Sequence, residues 1–143
     1  GMPKYVCGLV RDALNDNEKS VKGSKILILG VAYKKDIDDM RESPATDIIK
    51  EMQKRGATVK AFDPVAMEEA KHSLPDIEYA TDEYDAIKDA DALVIITEWN
   101  QFRALNMEKV KQLLKSPKIA DLRNIYEPKV MRELGFEYIG VGR

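Results

Sequence analysis

Four charged or aromatic side chains stand where short apolar runs of this chain end. Tyr33 and Lys34 follow Lys25-Ile26-Leu27-Ile28-Leu29-Gly30. Arg41 lies in the acidic stretch Asp38-Asp39-Met40-Arg41-Glu42, and Arg123 follows Lys118-Ile119-Ala120-Asp121-Leu122. A lysine so placed can neutralise a phosphate as a point charge. A guanidinium can grip a phosphate or a sugar hydroxyl through several donors. Each residue also has a plainer reading. Lys34 reads more readily as a solvated lysine, and Arg41 more readily as part of a surface ion-pair cluster with Asp38, Asp39 and Glu42. Arg123 reads equally as the partner of Asp121 or Glu127. Spacing alone leaves these alternatives open.

The remaining candidates read as structural. Asp63-Pro64 is a turn signal, although an aspartate there occupies the place where dinucleotide folds hold a ribose hydroxyl. Trp99 and Phe102 read as core residues rather than a ligand shelf. Cys7 has no neighbouring histidine and reads as a packed thiol. His72 sits in a charged helix and reads as a surface residue. One histidine and one cysteine cannot assemble a His- or Cys-rich metal site. No residue of the chain is assigned a catalytic role.

The elements that must position these residues follow from hydrophobic periodicity. Residues 25–30, 58–62, 77–80, 92–97, 118–122 and 136–140 are short apolar or β-rich runs and read as strands. Between them lie helical patterns. Ser43-Pro44 opens one, with Ala45, Ile48, Ile49 and Met52 at helical spacing and Arg55-Gly56 closing it. Others cover about 67–73, 82–89, 106–115 and 128–134. Alternating strands and helices predict an α/β domain with an open, mostly parallel six-stranded sheet and helices on both faces, Rossmann-like in architecture. In such a sheet, ligands bind beyond the carboxyl ends of the strands, where the four candidates stand. A dinucleotide-binding loop wants G-x-G-x-x-G after the first strand. Only Gly30 is present, so a dinucleotide is not expected to be clasped in the usual manner. Residues 3–15 read as a separate N-terminal helix, the tail of a longer one. Residues 1–22 are accordingly expected to be an interdomain helix end and linker, and 23–143 the domain.

Composition narrows the classes. The chain has 143 residues, 44% apolar and 34% charged, a soluble globular profile. Lys+Arg 23 against Asp+Glu 25 gives a net charge of −2, no electrostatic basis for binding nucleic acid. No apolar run approaches the ~20 residues of a membrane span. A single cysteine suits a reducing cytoplasm. Gly1-Met2 reads as a protease scar before a start methionine, and the natural protein is expected to begin earlier.

Longer strings carry a resemblance. Gly23-Ser24-Lys25, Leu29-Gly30-Val31-Ala32-Tyr33-Lys34-Lys35-Asp36 and Asp38-Asp39-Met40-Arg41-Glu42-Ser43-Pro44 closely resemble the terminal domain of the UDP-glucose/GDP-mannose dehydrogenase family. So do Gly56-Ala57 to Asp63-Pro64, Thr97-Glu98-Trp99 and Asp121-Leu122-Arg123-Asn124, while Met2 to Val6 looks like the end of the family's connecting helix. The first block is worded most like the branch acting on UDP-N-acetylhexosamines.

The resemblance implies an NAD-dependent oxidation of C6 of a UDP-sugar from alcohol to carboxylate with two NAD+. The cofactor would be held mainly by an N-terminal domain, and a cysteine elsewhere would capture the aldehyde. Neither that cysteine loop nor a G-x-G-x-x-G loop is in this chain, so the fragment alone is expected to be inactive. The resemblance makes Lys34 and Arg123 contacts to the UDP-sugar, Tyr33 a wall of the sugar pocket, and Arg41 an arginine on the NAD side of the cleft. It departs at Leu122, where the family often has glycine. It further implies the rest of a dehydrogenase as partner, a homo-oligomer at full length, and a role in polysaccharide biosynthesis. A stand-alone nucleotide-binding regulatory module and a structural oligomerisation domain are the competing expectations.

Overall fold

The computed structural model of the chain describes residues 23–31 and 44–141. The expected N-terminal helix, Cys7, Tyr33, Lys34 and Arg41 lie outside the described residues. Within them the order is β1 Lys25–Leu29, α1 Pro44–Lys54, β2 Thr58–Phe62, α2 Met67–Ser73, β3 Glu78–Tyr79, α3 Glu83–Ile87, β4 Ala92–Ile95, α4 Asn100–Arg103, α5 Met107–Leu113, β5 Lys118–Asp121, α6 Pro128–Glu133 and β6 Glu137–Gly140. The strands form one sheet in the order β3-β2-β1-β4-β5-β6. Every pairing is parallel, where the sequence predicts a mostly parallel sheet. The one-turn helix α4 is not expected from periodicity, because four residues are too few to show any; it is anchored by the fully buried Phe102.

Strand side chains alternate between two cores, as the pleat requires. Ile26, Ile28, Val59, Ala61, Ala92 and Val94 meet Ala45, Ile48, Ile49 and Met52 of α1. Leu27, Leu29, Phe62, Leu93, Ile95 and Ile119 meet Ile87, Phe102, Val110 and Met131 on the other face. A parallel sheet covered on both sides therefore reads as continuous apolar runs. Asp91 sets where β4 begins: its carboxylate accepts from Lys25 N at 2.8 Å, and its own N–H donates to Lys25 O at 2.7 Å. His72 is exposed, as its charged helix predicts.

Candidate functional site

The strand order turns at β1, whose two neighbours, β2 and β4, leave it in opposite directions. This is the switch point at which open α/β sheets hold ligands. Beyond the carboxyl ends of the strands lie Gly30 and Val31 after β1, Asp63 after β2, Thr97, Glu98 and Trp99 after β4, and Arg123 after β5.

The floor of this crevice is closely packed. Gly30 has φ +88°, a conformation L side chains rarely adopt, and its Cα faces the buried Thr97. Its N–H donates to Phe62 O at 2.7 Å, and the Val31 N–H donates to Asp63 Oδ2 at 2.9 Å. Asp63 Oδ1 also accepts from Val65 N at 2.9 Å and Ala66 N at 2.8 Å. Asp63 is 1% exposed, so its carboxylate is a buried clamp joining the loops after β1 and β2. That agrees with the turn reading and leaves it no part in holding a ribose. The N–H groups of both described residues of the first loop point into the protein.

Among the described residues, Arg123 is the sequence-predicted cation that stands at this edge. The turn that carries it wraps around Asp121, which is fully buried. Asp121 Oδ1 accepts from Arg123 N at 3.1 Å. Its Oδ2 accepts from Ile125 N at 2.8 Å, Tyr126 N at 3.1 Å and Tyr138 Oη at 2.6 Å. Asn124 closes the turn with a left-handed φ of 53°, a region that asparagine tolerates better than most residues. Its Nδ2 donates to Val141 O at 3.0 Å. Tyr126 donates its hydroxyl to Phe102 O, tying the turn to α4. Burial, then the nearby Asp121 and Tyr84, push the Tyr126 phenol up, with Arg103 opposing.

The ion pair of Arg123 differs from the expected one. Its Nη2 approaches Glu98 Oε2 at 2.5 Å, while the carboxylate of Asp121 turns inward onto backbone N–H groups. The Glu98 contact is one of charge, since Oε2 makes no aligned hydrogen bond. Side-chain exposures are 32% for Arg123 and 22% for Glu98, so solvent screens the pair in part. Glu98 stands in the Thr97-Glu98-Trp99 string but is given no role by sequence reasoning. Its signal was a carboxylate three residues past the end of a central strand. Phe102 is core, edge-on to Phe62 at 6.4 Å, and the half-buried Trp99 packs against the same cluster, as the sequence predicts.

A separate groove of about 270 Å³ is lined by Lys25, Thr58, Lys60, Glu78, Lys88 and Asp89, among others. It opens at the amino ends of β1, β2 and β3, away from the edge where parallel sheets bind ligands. Among the described residues, no helix is long and apolar enough to cross a membrane.

Residues 27–128 match the model of the UDP-glucose/GDP-mannose dehydrogenase family, UDP binding domain. The chain is 42% identical over 144 residues to UDP-glucose 6-dehydrogenase of Rhizobium meliloti (strain 1021), covering 92% of this chain and 33% of that protein. It is 45% identical over 125 residues to UDP-glucose 6-dehydrogenase TuaD of Bacillus subtilis (strain 168), covering 87% and 27%. Among solved structures it resembles an NDP-N-acetyl-D-galactosaminuronic acid dehydrogenase from Methanosarcina mazei Go1, with TM-score 0.88 and 31% identity, over 99% of this chain and 29% of that one. It also resembles a UDP-D-ManNAc dehydrogenase from Pyrococcus horikoshii, with TM-score 0.79 and 30% identity, over 99% and 31%. The chain thus spans between a quarter and a third of the length of these relatives.

Proposed function

The chain belongs to the UDP-glucose/GDP-mannose dehydrogenase family, as its UDP binding domain, and from that premise we propose that its crevice holds the uridine diphosphate end of a UDP-sugar. The observation that carries the reading is Arg123, held at the mouth of the crevice by a turn wrapped around a buried carboxylate. A guanidinium there supplies charge and directed donors to a phosphate or a sugar hydroxyl. The N–H groups of Gly30 and Val31 point inward, so these two residues offer a phosphate no donors. Lys34 would add a second charge to the diphosphate and Tyr33 a wall to the sugar pocket. Arg41 would serve the side of the cleft facing NAD.

The reaction belongs to a longer protein in this proposal. A UDP-sugar 6-dehydrogenase oxidises the C6 alcohol to a carboxylate with two NAD+, and this chain supplies half of the cleft. NAD would be held mainly by another domain, and the nucleophilic cysteine would come from outside this sequence. Alone, the chain is expected to bind without turning over. We assign residues 1–22 to the interdomain connection, 23–143 to the binding domain, and the whole protein to a homo-oligomer.

Titration of the isotope-labelled chain with UDP, UDP-glucose, UDP-N-acetylglucosamine and NAD+ tests this. Shifts clustered at Tyr33, Lys34 and Arg123 with the uridine ligands are expected. A response to NAD+ with none to UDP would replace the reading with a dinucleotide module. The two sugars, compared side by side, decide between the glucose and N-acetylhexosamine branches, both of which are represented among the relatives.

A further inference from the structure

We propose that Asn124 is a positioning residue for Arg123, an inference that rests on Arg123 meeting the ligand. The segment after β5 is held in two ways. The carboxylate of Asp121 accepts from the N–H groups of Arg123, Ile125 and Tyr126, the residues on either side of Asn124. Between them Asn124 takes a left-handed φ of 53°, a backbone that few L residues adopt readily. Its Nδ2 then donates to Val141 O at 3.0 Å, across 17 positions of sequence. That oxygen lies one residue past β6, whose last residue, Gly140, pairs with Asp121. Asn124 therefore fastens the segment that carries Arg123 to the end of the neighbouring strand.

The chemistry of this bridge asks for an amide. A backbone carbonyl only accepts, so the group facing Val141 O must be a donor. Asparagine joins that donor to a tolerance for left-handed backbone. Glycine offers the tolerance without the donor, and aspartate sets an acceptor in its place. Arg123 leaves the main chain one residue before the bridge, so the bridge fixes the point and direction from which its side chain starts. Its contact with Glu98 acts at the far end of the same side chain. Holding a binding group in place beforehand lowers the cost of ordering it when ligand arrives. A bridge that only stabilised the fold would change stability and leave the affinity of the folded chain as it was.

The test uses the 143-residue chain and UDP as probe, with the variants Asn124→Gly, Asn124→Asp, Arg123→Ala and the double variant Arg123→Ala with Asn124→Gly. Arg123→Ala reads the UDP-binding proposal by itself. If it leaves UDP affinity at the wild-type level, or if the wild type shows no UDP binding, that proposal falls and the role of Asn124 falls with it. If Arg123→Ala weakens binding, Asn124→Gly is expected to weaken it about three- to tenfold. Asn124→Asp should weaken it at least as much, because it also brings a negative charge toward a diphosphate. In the Arg123→Ala background, Asn124→Gly should change nothing further. Unchanged or tighter binding in Asn124→Gly overturns the positioning role alone, as does an equal loss in both backgrounds. Amide exchange in the ligand-free protein gives an independent readout. The N–H groups of Arg123 and Ile125 should exchange faster, relative to those of β1 and β4, in both Asn124 variants. Unchanged relative exchange refutes the bridge whatever the affinity does.

Discussion

A Cβ built on Gly30 would stand 2.5 Å from Thr97 Cβ and 2.8 Å from Thr97 N, so β1 and β4 meet at the switch point through a contact that only glycine permits. Relief would have to come from the backbone of Thr97, which is buried. Gly30 also holds a φ of +88°.

Gly30→Ala is therefore expected to cost about 2–4 kcal/mol, combining overpacking with backbone strain. Urea unfolding reads it. A loss under about 0.5 kcal/mol, the range of an ordinary surface change, would show that β1 and β4 are not locked here.

Asp63→Asn is expected to cost about 1–3 kcal/mol, because one carboxylate oxygen becomes an NH2 that faces a backbone donor. Whichever way the amide turns, Val31 N–H or the pair from Val65 and Ala66 loses its acceptor. Amide exchange at these three residues should accelerate ahead of the rest of the sheet. Uniform protection would contradict the clamp.

Tyr138→Phe removes the 2.6 Å bond to Asp121 and the 3.1 Å bond to Tyr126 O. Asp121 keeps three backbone donors, so the expected cost is modest, about 1–2 kcal/mol. The diagnostic effect is local: resonances of Arg123 and Asn124 should shift, and UDP affinity should fall more than with a matched core substitution of equal stability cost. Equal losses of affinity would reduce Tyr138 to a packing residue.

The phenol of Tyr79 donates to Leu74 O at 2.6 Å, and burial pushes its pKa from 10.0 to about 12. The folded state thus holds this proton more tightly than the unfolded one. The associated stability is fully present below about pH 10 and is lost as pH rises toward about 12. Urea midpoints measured from about pH 8 to 11.5 should fall more steeply in wild type than in Tyr79→Phe above about pH 10. Parallel curves would rule the linkage out. Tyr126, also pushed up, should contribute to the slope that remains in Tyr79→Phe.

Much of this molecule is legible in its sequence. The apolar runs are near-continuous because a parallel sheet is covered on both faces, and the strand and helix patterns recur at periods that only an α/β alternation explains. Helix α2 has the bounds its pattern predicts, Met67–Ser73. The rim position of Arg123 also follows, since chain order alone says which residue comes next after a strand. The helix α4 escapes, because a single turn held by Phe102 has no period to detect.

What chain order could not supply is which side chains meet across the rim. Asp63 and Val31 are 32 positions apart, and Tyr138 and Asp121 are 17 apart. Glu98 and Arg123 are brought together by the register of β4 on β5, while nearer carboxylates such as Asp121 turn inward to hold backbone N–H groups. Local spacing dictated the elements because their hydrogen bonds and apolar faces are local properties of the chain. The partners of the charged groups were decided by sheet register and burial, which bring together residues that sequence distance keeps apart.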